Sequence, residues 1–134
     1  MDSLSGTNPR SIRFATSPTG DLRWQAPLVP KTNRSLVHAT SFGSVCPQVP
    51  RPGVPYQPSA DENEDCLFIN VYAPPENRDK KLLPVLIWIH GGGYRNGDGR
   101  YDLSDIITLN NNTIVGVQIQ YRVGPTIPLA RVLC

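Results

Sequence analysis

Residues 84–94 read Pro84-Val85-Leu86-Ile87-Trp88-Ile89-His90-Gly91-Gly92-Gly93-Tyr94, a five-residue apolar run that ends in one histidine and three glycines. The length of the run and its β-branched and aromatic content predict a central strand buried on both faces. Three adjacent glycines free the backbone for positive φ and for close approach to a ligand. Peptide N–H groups turned inward from such a loop are suited to hold the negative oxygen that develops in acyl transfer. The bland alternative is a tight turn that uses three glycines for its geometry alone. The nucleophile that such a loop serves, a serine in Gly-x-Ser-x-Gly, occurs nowhere in the 134 residues.

Working outward, Cys66 to Ala73 (Cys-Leu-Phe-Ile-Asn-Val-Tyr-Ala) reads as a strand stopped by Pro74-Pro75. A charged turn over residues 76–83 then predicts an antiparallel pair between that strand and Val85–Ile89. Gly91 to Gly99 is a glycine-rich loop, and Leu103 to Leu109 a short helix with Asp102 or Ser104 near its start as a cap. Asn110-Asn111-Asn112 stops the helix, and Thr113 to Tyr121 forms the last strand. Upstream, the small polar residues 1–12 are expected to be either disordered or a broken-off edge, and the chain to run extended between turns from Ile12 to Pro30. Ser17-Pro18-Thr19-Gly20-Asp21 marks a turn. One helical turn is expected near Leu36–Ala39. Residues 47–60 hold Pro47, Pro50, Pro52, Pro55 and Pro58 and can be neither helix nor central sheet.

Thirteen basic and eleven acidic residues, interspersed, give a net charge of +2, so no nucleic-acid or membrane-surface partner is indicated. No apolar run approaches the roughly 20 residues needed to cross a bilayer. The first residues show no charged segment followed by an apolar one, so no secretory leader is visible. Cys46 and Cys66 flank the proline-rich loop. A bridge between them would close about 20 residues, contribute roughly 3 kcal/mol and require an oxidising compartment. The other possibility is two unpaired thiols. Cys134 is left over and reads as a free thiol. Asn33 and Asn111 begin Asn-x-Ser/Thr sequons, which are acceptors for a glycan only in a secreted chain.

Two cofactor motifs fail on their own residues. Asp61-x-Asn63-x-Asp65 starts like a calcium loop but has Cys66 at the glycine position and Tyr72 at the closing glutamate. A dinucleotide fingerprint from Gly91 meets Asn96 instead of its last glycine. No metal or organic cofactor is expected. His38 lies in a polar segment and reads as a surface residue. His90 has no serine or cysteine at a strand-to-helix elbow to activate, so its expected role is to hold the glycine loop through hydrogen bonds.

Further stretches stand in order along the chain: Ile12-Arg13-Phe14-Ala15, Gly20-Asp21-Leu22-Arg23-Trp24-Gln25-Ala26-Pro27, and Phe42-Gly43-Ser44-Val45-Cys46-Pro47-Gln48. Glu64-Asp65-Cys66-Leu67-Phe68-Ile69-Asn70-Val71-Tyr72 and Tyr121-Arg122-Val123-Gly124 follow. With residues 84–94 they resemble the N-terminal region of the type-B carboxylesterase/cholinesterase family, and within it the fungal-type carboxylesterases. The resemblance implies an α/β chain, a partial α/β-hydrolase whose N-terminal antiparallel strands lead into the first strands of the central sheet. It implies that Gly92 and Gly93 supply two backbone donors of an oxyanion hole, supported by His90 and Gly91, and that Tyr94 lines the acyl side of the substrate pocket. Cys46 and Cys66 would form the family's first disulfide. Arg23 and Glu64 would form a structural salt bridge in which, if buried, loss of one partner strands the other charge. For a complete parent enzyme it implies a small-molecule ester substrate and an extracellular location.

The departures carry equal weight. After Gly124 the residues Pro125 to Cys134 match nothing in the family's continuation, so the resemblance divides the chain into 1–124, an incomplete esterase domain, and 125–134, an unrelated tail. Lacking nucleophile, base and acid, the chain as given is expected to be inactive. The alternative from a different class is a non-catalytic, cholinesterase-like adhesion or binding domain. Against it stands the intact His90–Gly93 loop, which a binding module does not need. A third expectation is that the chain alone exposes apolar strand edges and aggregates.

Overall fold

The computed structural model describes residues 10–32, 35, 39, 41–49, 52–74 and 82–127. Among these residues four strands make one sheet: β1 (Arg10–Arg13), β2 (Phe68–Tyr72), β3 (Val85–Ile89) and β4 (Val115–Ile119), in the spatial order β1-β2-β4-β3. β2 pairs antiparallel with β1 (Ile12 opposite Ile69) and with β4 (Asn70 opposite Gln118). β3 pairs parallel with β4, Ile87 opposite Val117. A parallel pair needs a crossover, and the helix α1 (Ser104–Leu109) lies in it.

Three expectations are corrected here. β2 and β3 do not form an antiparallel pair, because β4 occupies the place between them. The connection from Tyr72 to Val85 is too long to force a tight hairpin, so nothing local opposes that insertion. Second, residues 10–12 are not disordered but form part of β1 at an edge of the sheet, since main-chain pairing with β2 does not require apolar side chains. Third, β3 is neither central nor buried: among the described residues it is an edge strand whose side chains are exposed, from 36% at Leu86 to 66% at Ile89, the open apolar edge expected of the chain alone.

The reason for that exposure is where α1 sits. Leu103 and Ile107 pack with Tyr72 of β2, and both reach the bare backbone of Gly116 on β4, where a Cβ would lie 2.9 Å from Leu103 Cδ1. The helix therefore covers β2 and β4. Neither Asp102 nor Ser104 is its N-cap, a position Leu103 takes; the Asp102 carboxylate, one residue earlier, accepts the Ser104 N–H at 2.8 Å, and bonds from the Ser104 side chain and backbone hold its pKa below the usual carboxylate range. Asn111 and Asn112, both left-handed at φ 53° and 58°, end it. The phenol of Tyr72, 1% exposed, is pushed up to about 12 by burial and by the nearby charge of Asp102.

A second core lies at the other end of the sheet, where Ala15, Cys46, Cys66, Leu67 and Val123 are buried together with Phe14 and Tyr121 against them. Between the cores runs a row of buried amides. Asn70 Nδ2 donates to the Gly99 carbonyl at 2.6 Å, Gln120 Oε1 accepts from the Gly99 N–H at 2.7 Å, and Gln118 Nε2 donates to the Tyr101 carbonyl. These three side chains fasten the segment 99–101 to the sheet, and Asn70 and Gln120 satisfy both polar groups of the buried Gly99 backbone. The helical turn expected near Leu36–Ala39 falls partly outside the described residues.

Candidate functional site

β3 ends at Ile89, and the chain turns sharply through His90-Gly91-Gly92-Gly93-Tyr94. Gly92 (φ 123°) and Gly93 (φ 59°) take up conformations that side chains rarely adopt, and a Cβ on Gly92 would lie 1.7 Å from the Asn96 carbonyl oxygen. The Gly92 carbonyl instead accepts the N–H groups of Arg95 (3.1 Å) and Asn96 (3.3 Å), which curls the loop back on itself. Among the described residues nothing accepts the N–H groups of Gly91, Gly92 or Gly93.

His90 is 7% exposed and lies inside the curl. Its ring stacks on Tyr121 (centroids 4.1 Å apart, 9° between planes), and the Tyr121 hydroxyl donates to the His90 carbonyl at 2.5 Å. Nδ1 lies 2.9 Å from the Gly91 carbonyl oxygen, a contact that requires the proton on Nδ1. Nε2 is buried with no partner among the described residues. Tyr94 is left-handed at φ 60° with its side chain 71% exposed. Ile89, His90, Gly91, Gly93, Tyr94 and Tyr121 line a hollow of about 440 Å³ beside the loop.

The underside of the loop rests on the segment that follows Cys46. Cys46 and Cys66 are joined by a disulfide. Gln48 contacts Gly97 through both ends of its amide, the Val49 N–H donates to the Arg95 carbonyl at 2.8 Å, and the Gly124 N–H donates to the Tyr94 carbonyl at 2.7 Å. Arg23 Nη2 donates to Glu64 Oε2 at 2.7 Å, and its Nε lies 2.6 Å from Oε1 without a well-aligned hydrogen bond. Both side chains keep substantial exposure to water, so this is not a buried pair. A neighbouring pair, Arg13 with Asp65 (Nη2 to Oδ2 2.7 Å), ties β1 to the residue before Cys66 and has no signal in the sequence. The hydrogen bonds from Arg13, with Coulombic attraction and against some burial, hold the Asp65 carboxyl below its usual range.

Arg122 behaves differently. It is buried, donates to the Gln25 carbonyl at 2.7 Å, and its Nη1 has no partner among the described residues, so burial lowers its pKa. Asn111 is exposed at the end of α1, whereas Asn33, His38 and Cys134 lie outside the described residues. Among the described residues no three His, Cys, Asp or Glu side chains are grouped to hold a metal ion, and no helix is long and apolar enough to cross a membrane. The loop residues were legible from the glycine run. Gln48, Gly97 and Tyr121 were not, because their role depends on contacts between distant segments.

The comparisons with known proteins bear on the family and the fold. The family model described as "Carboxylesterase family" matches residues 9–126. The para-nitrobenzyl esterase of Bacillus subtilis (strain 168) is 36% identical over 118 residues, covering 87% of this chain and 24% of that one. Venom carboxylesterase-6 of Apis mellifera is 39% identical over 114 residues, covering 85% and 20%. The crystal structure of Aspergillus niger EstA superposes with a TM-score of 0.76 at 36% identity over 88% of this chain and 22% of that one. The chain thus spans about a quarter or less of the length of these relatives, and its mixed sheet is part of an α/β-hydrolase fold. On its sequence and on its fold, the chain belongs to the carboxylesterase family.

Proposed function

We propose that this chain is the oxyanion-loop portion of a serine carboxylic-ester hydrolase acting on small-molecule esters, with the N–H groups of Gly92 and Gly93 as donors to the developing oxyanion. One observation carries this reading. The loop uses its carbonyls and its later N–H groups to hold itself, while the glycine N–H groups have no acceptor among the described residues. Donors fixed in advance, at no cost of reorganisation when charge appears, are what acyl transfer requires. Tyr94, at the rim of the adjoining hollow, takes the acyl side of the substrate. His90 supports the loop and does not act as a base, since its Nδ1 is engaged with Gly91 and its Nε2 is enclosed. The Arg23–Glu64 contact ties the N-terminal segment to the strand that follows Cys66.

The loop cannot turn over an ester by itself, because a nucleophile, a base and an orienting acid must act together. The 134-residue chain is expected to hydrolyse p-nitrophenyl esters no faster than background; turnover blocked by an organophosphate would refute that. The oxyanion role itself is tested by placing residues 9–126 into the B. subtilis esterase in place of the segment they match. An active chimera is expected, and a folded, substrate-binding chimera without turnover would overturn the reading. The disulfide and the exposed sequon at Asn111 favour an oxidising, extracellular setting.

A further inference from the structure

The glycine loop has a support that lies far away in sequence. Gln48 Oε1 accepts the Gly97 N–H at 2.6 Å, while Nε2 donates to the Gly97 carbonyl at 3.1 Å and to the Cys46 carbonyl at 2.6 Å. The side-chain amide thus pairs with both polar groups of Gly97, as a second peptide would. Gly97 in turn is wedged against the base of the loop. At φ 119° its Cα lies so near His90 that a Cβ would be 2.3 Å from Nδ1 and 2.5 Å from the Gly91 carbonyl oxygen. His90 is therefore held between Tyr121 on one side and Gly97 on the other.

We propose that Gln48 is a positioning residue for the oxyanion loop: by clamping Gly97 against His90 and Gly91, it fixes the direction of the Gly92 and Gly93 N–H groups. The proposal rests on the oxyanion reading of those two glycines. Gln48 touches neither the loop's donors nor the hollow beside them, so its effect on chemistry passes through Gly97. Its own backbone is fixed twice, by Cys46 in the disulfide two residues before it and by its N–H to Glu62 Oε2 at 3.1 Å. The Val49 N–H on the Arg95 carbonyl continues the same support along the loop. A transition-state donor misdirected by a fraction of an ångström loses rate without losing substrate affinity.

Two measurements test this. In the 134-residue chain, hydrogen exchange is compared between wild type, Gln48→Ala and Gln48→Glu. Gln48→Ala is expected to speed exchange of the Arg95 and Asn96 amides, which bond to Gly92, at least tenfold while the β2 and β4 amides keep their rates. Gln48→Glu retains an acceptor for Gly97 and should fall between. Unchanged Arg95 and Asn96 amides, or equal acceleration everywhere, would overturn the proposal. In the chimera described above, Gln48→Ala is expected to lower kcat at least tenfold with KM unchanged. A chimera indifferent to Gln48→Ala also overturns it, leaving the oxyanion reading intact. A chimera inactive before substitution sinks the oxyanion reading instead, and the exchange result alone then decides whether Gln48 fixes the loop.

Discussion

β2 and β3 carry similar sequences, Phe68-Ile69-Asn70-Val71-Tyr72 and Val85-Leu86-Ile87-Trp88-Ile89, yet they meet opposite surroundings. β2 has a strand on each side and α1 over its end, and it buries Asn70 and Tyr72. Among the described residues β3 has β4 on one side only, and each of its side chains is exposed, Trp88 stacking on Tyr101 at 5.9 Å. An apolar strand sequence states what a strand needs. Whether it is met depends on which neighbours the rest of the chain brings, and α1 brings its apolar side to Tyr72 and Gly116.

Four measurements bear on that contrast. The largest effect is expected from Ile107→Ala, which empties a fully buried site over β2 and should cost about 2–5 kcal/mol in denaturant unfolding. Ile87→Ala on β3 removes the same group from an exposed site and should cost less than ~0.5 kcal/mol. Equal losses would dissolve the distinction between the two strands. Next in size is the disulfide. Reducing Cys46–Cys66, which closes 20 residues of sequence beside β2, should cost roughly 3 kcal/mol, read as a shift in the urea midpoint with reductant.

A smaller effect concerns pH. Asp65 titrates below its unfolded range because Arg13 hydrogen-bonds the charged form, so its stabilisation is present above about pH 4 and is lost as pH falls through the folded pKa. Asp65→Asn should flatten that acid limb of the unfolding curve. β3 carries no ionisable side chain and should contribute nothing to it. An unaltered acid limb in the variant would remove Arg13–Asp65 as its cause. The smallest effect on stability is expected from Ile87→Lys, changing unfolding by less than ~0.5 kcal/mol. Its readout is association: a lysine in the middle of an open edge should lower light scattering at high protein concentration. Scattering that persists would point to a surface other than β3.

β2, β3, β4, the helix and the glycine loop were legible because each depends on a few neighbouring residues: an apolar run, Asp102 before Ser104, three consecutive glycines. Pairing was not, since β4 enters between β2 and β3 from more than forty residues along the chain from β2, a separation that carries no local mark. The clamp on Gly97 escaped for a similar reason. A glutamine between Pro47 and Val49 in a proline-rich stretch looks like solvent-facing chain, and its value appears only when residue 97 arrives beside it. Asn70, Gln118 and Gln120 likewise read as polar positions on a half-exposed strand, whereas each is buried and bonded to the segment 99–101.

That row of amides also bears on how the sheet finds its alignment. Because successive residues of a strand face opposite ways, sliding β4 by one residue would turn Gln118 and Gln120 away and present Val117 and Ile119 to Gly99 and Tyr101. The buried Gly99 N–H would then lose its acceptor, at about 1–3 kcal/mol, while the Gly99 and Tyr101 carbonyls would keep the bonds they accept from Asn70 and Tyr72 of β2. Apolar contacts tolerate a slipped strand more readily than directional ones. Gln118 and Gln120 therefore act as an alignment check, penalising the wrong pairing of β4 more than they strengthen the right one.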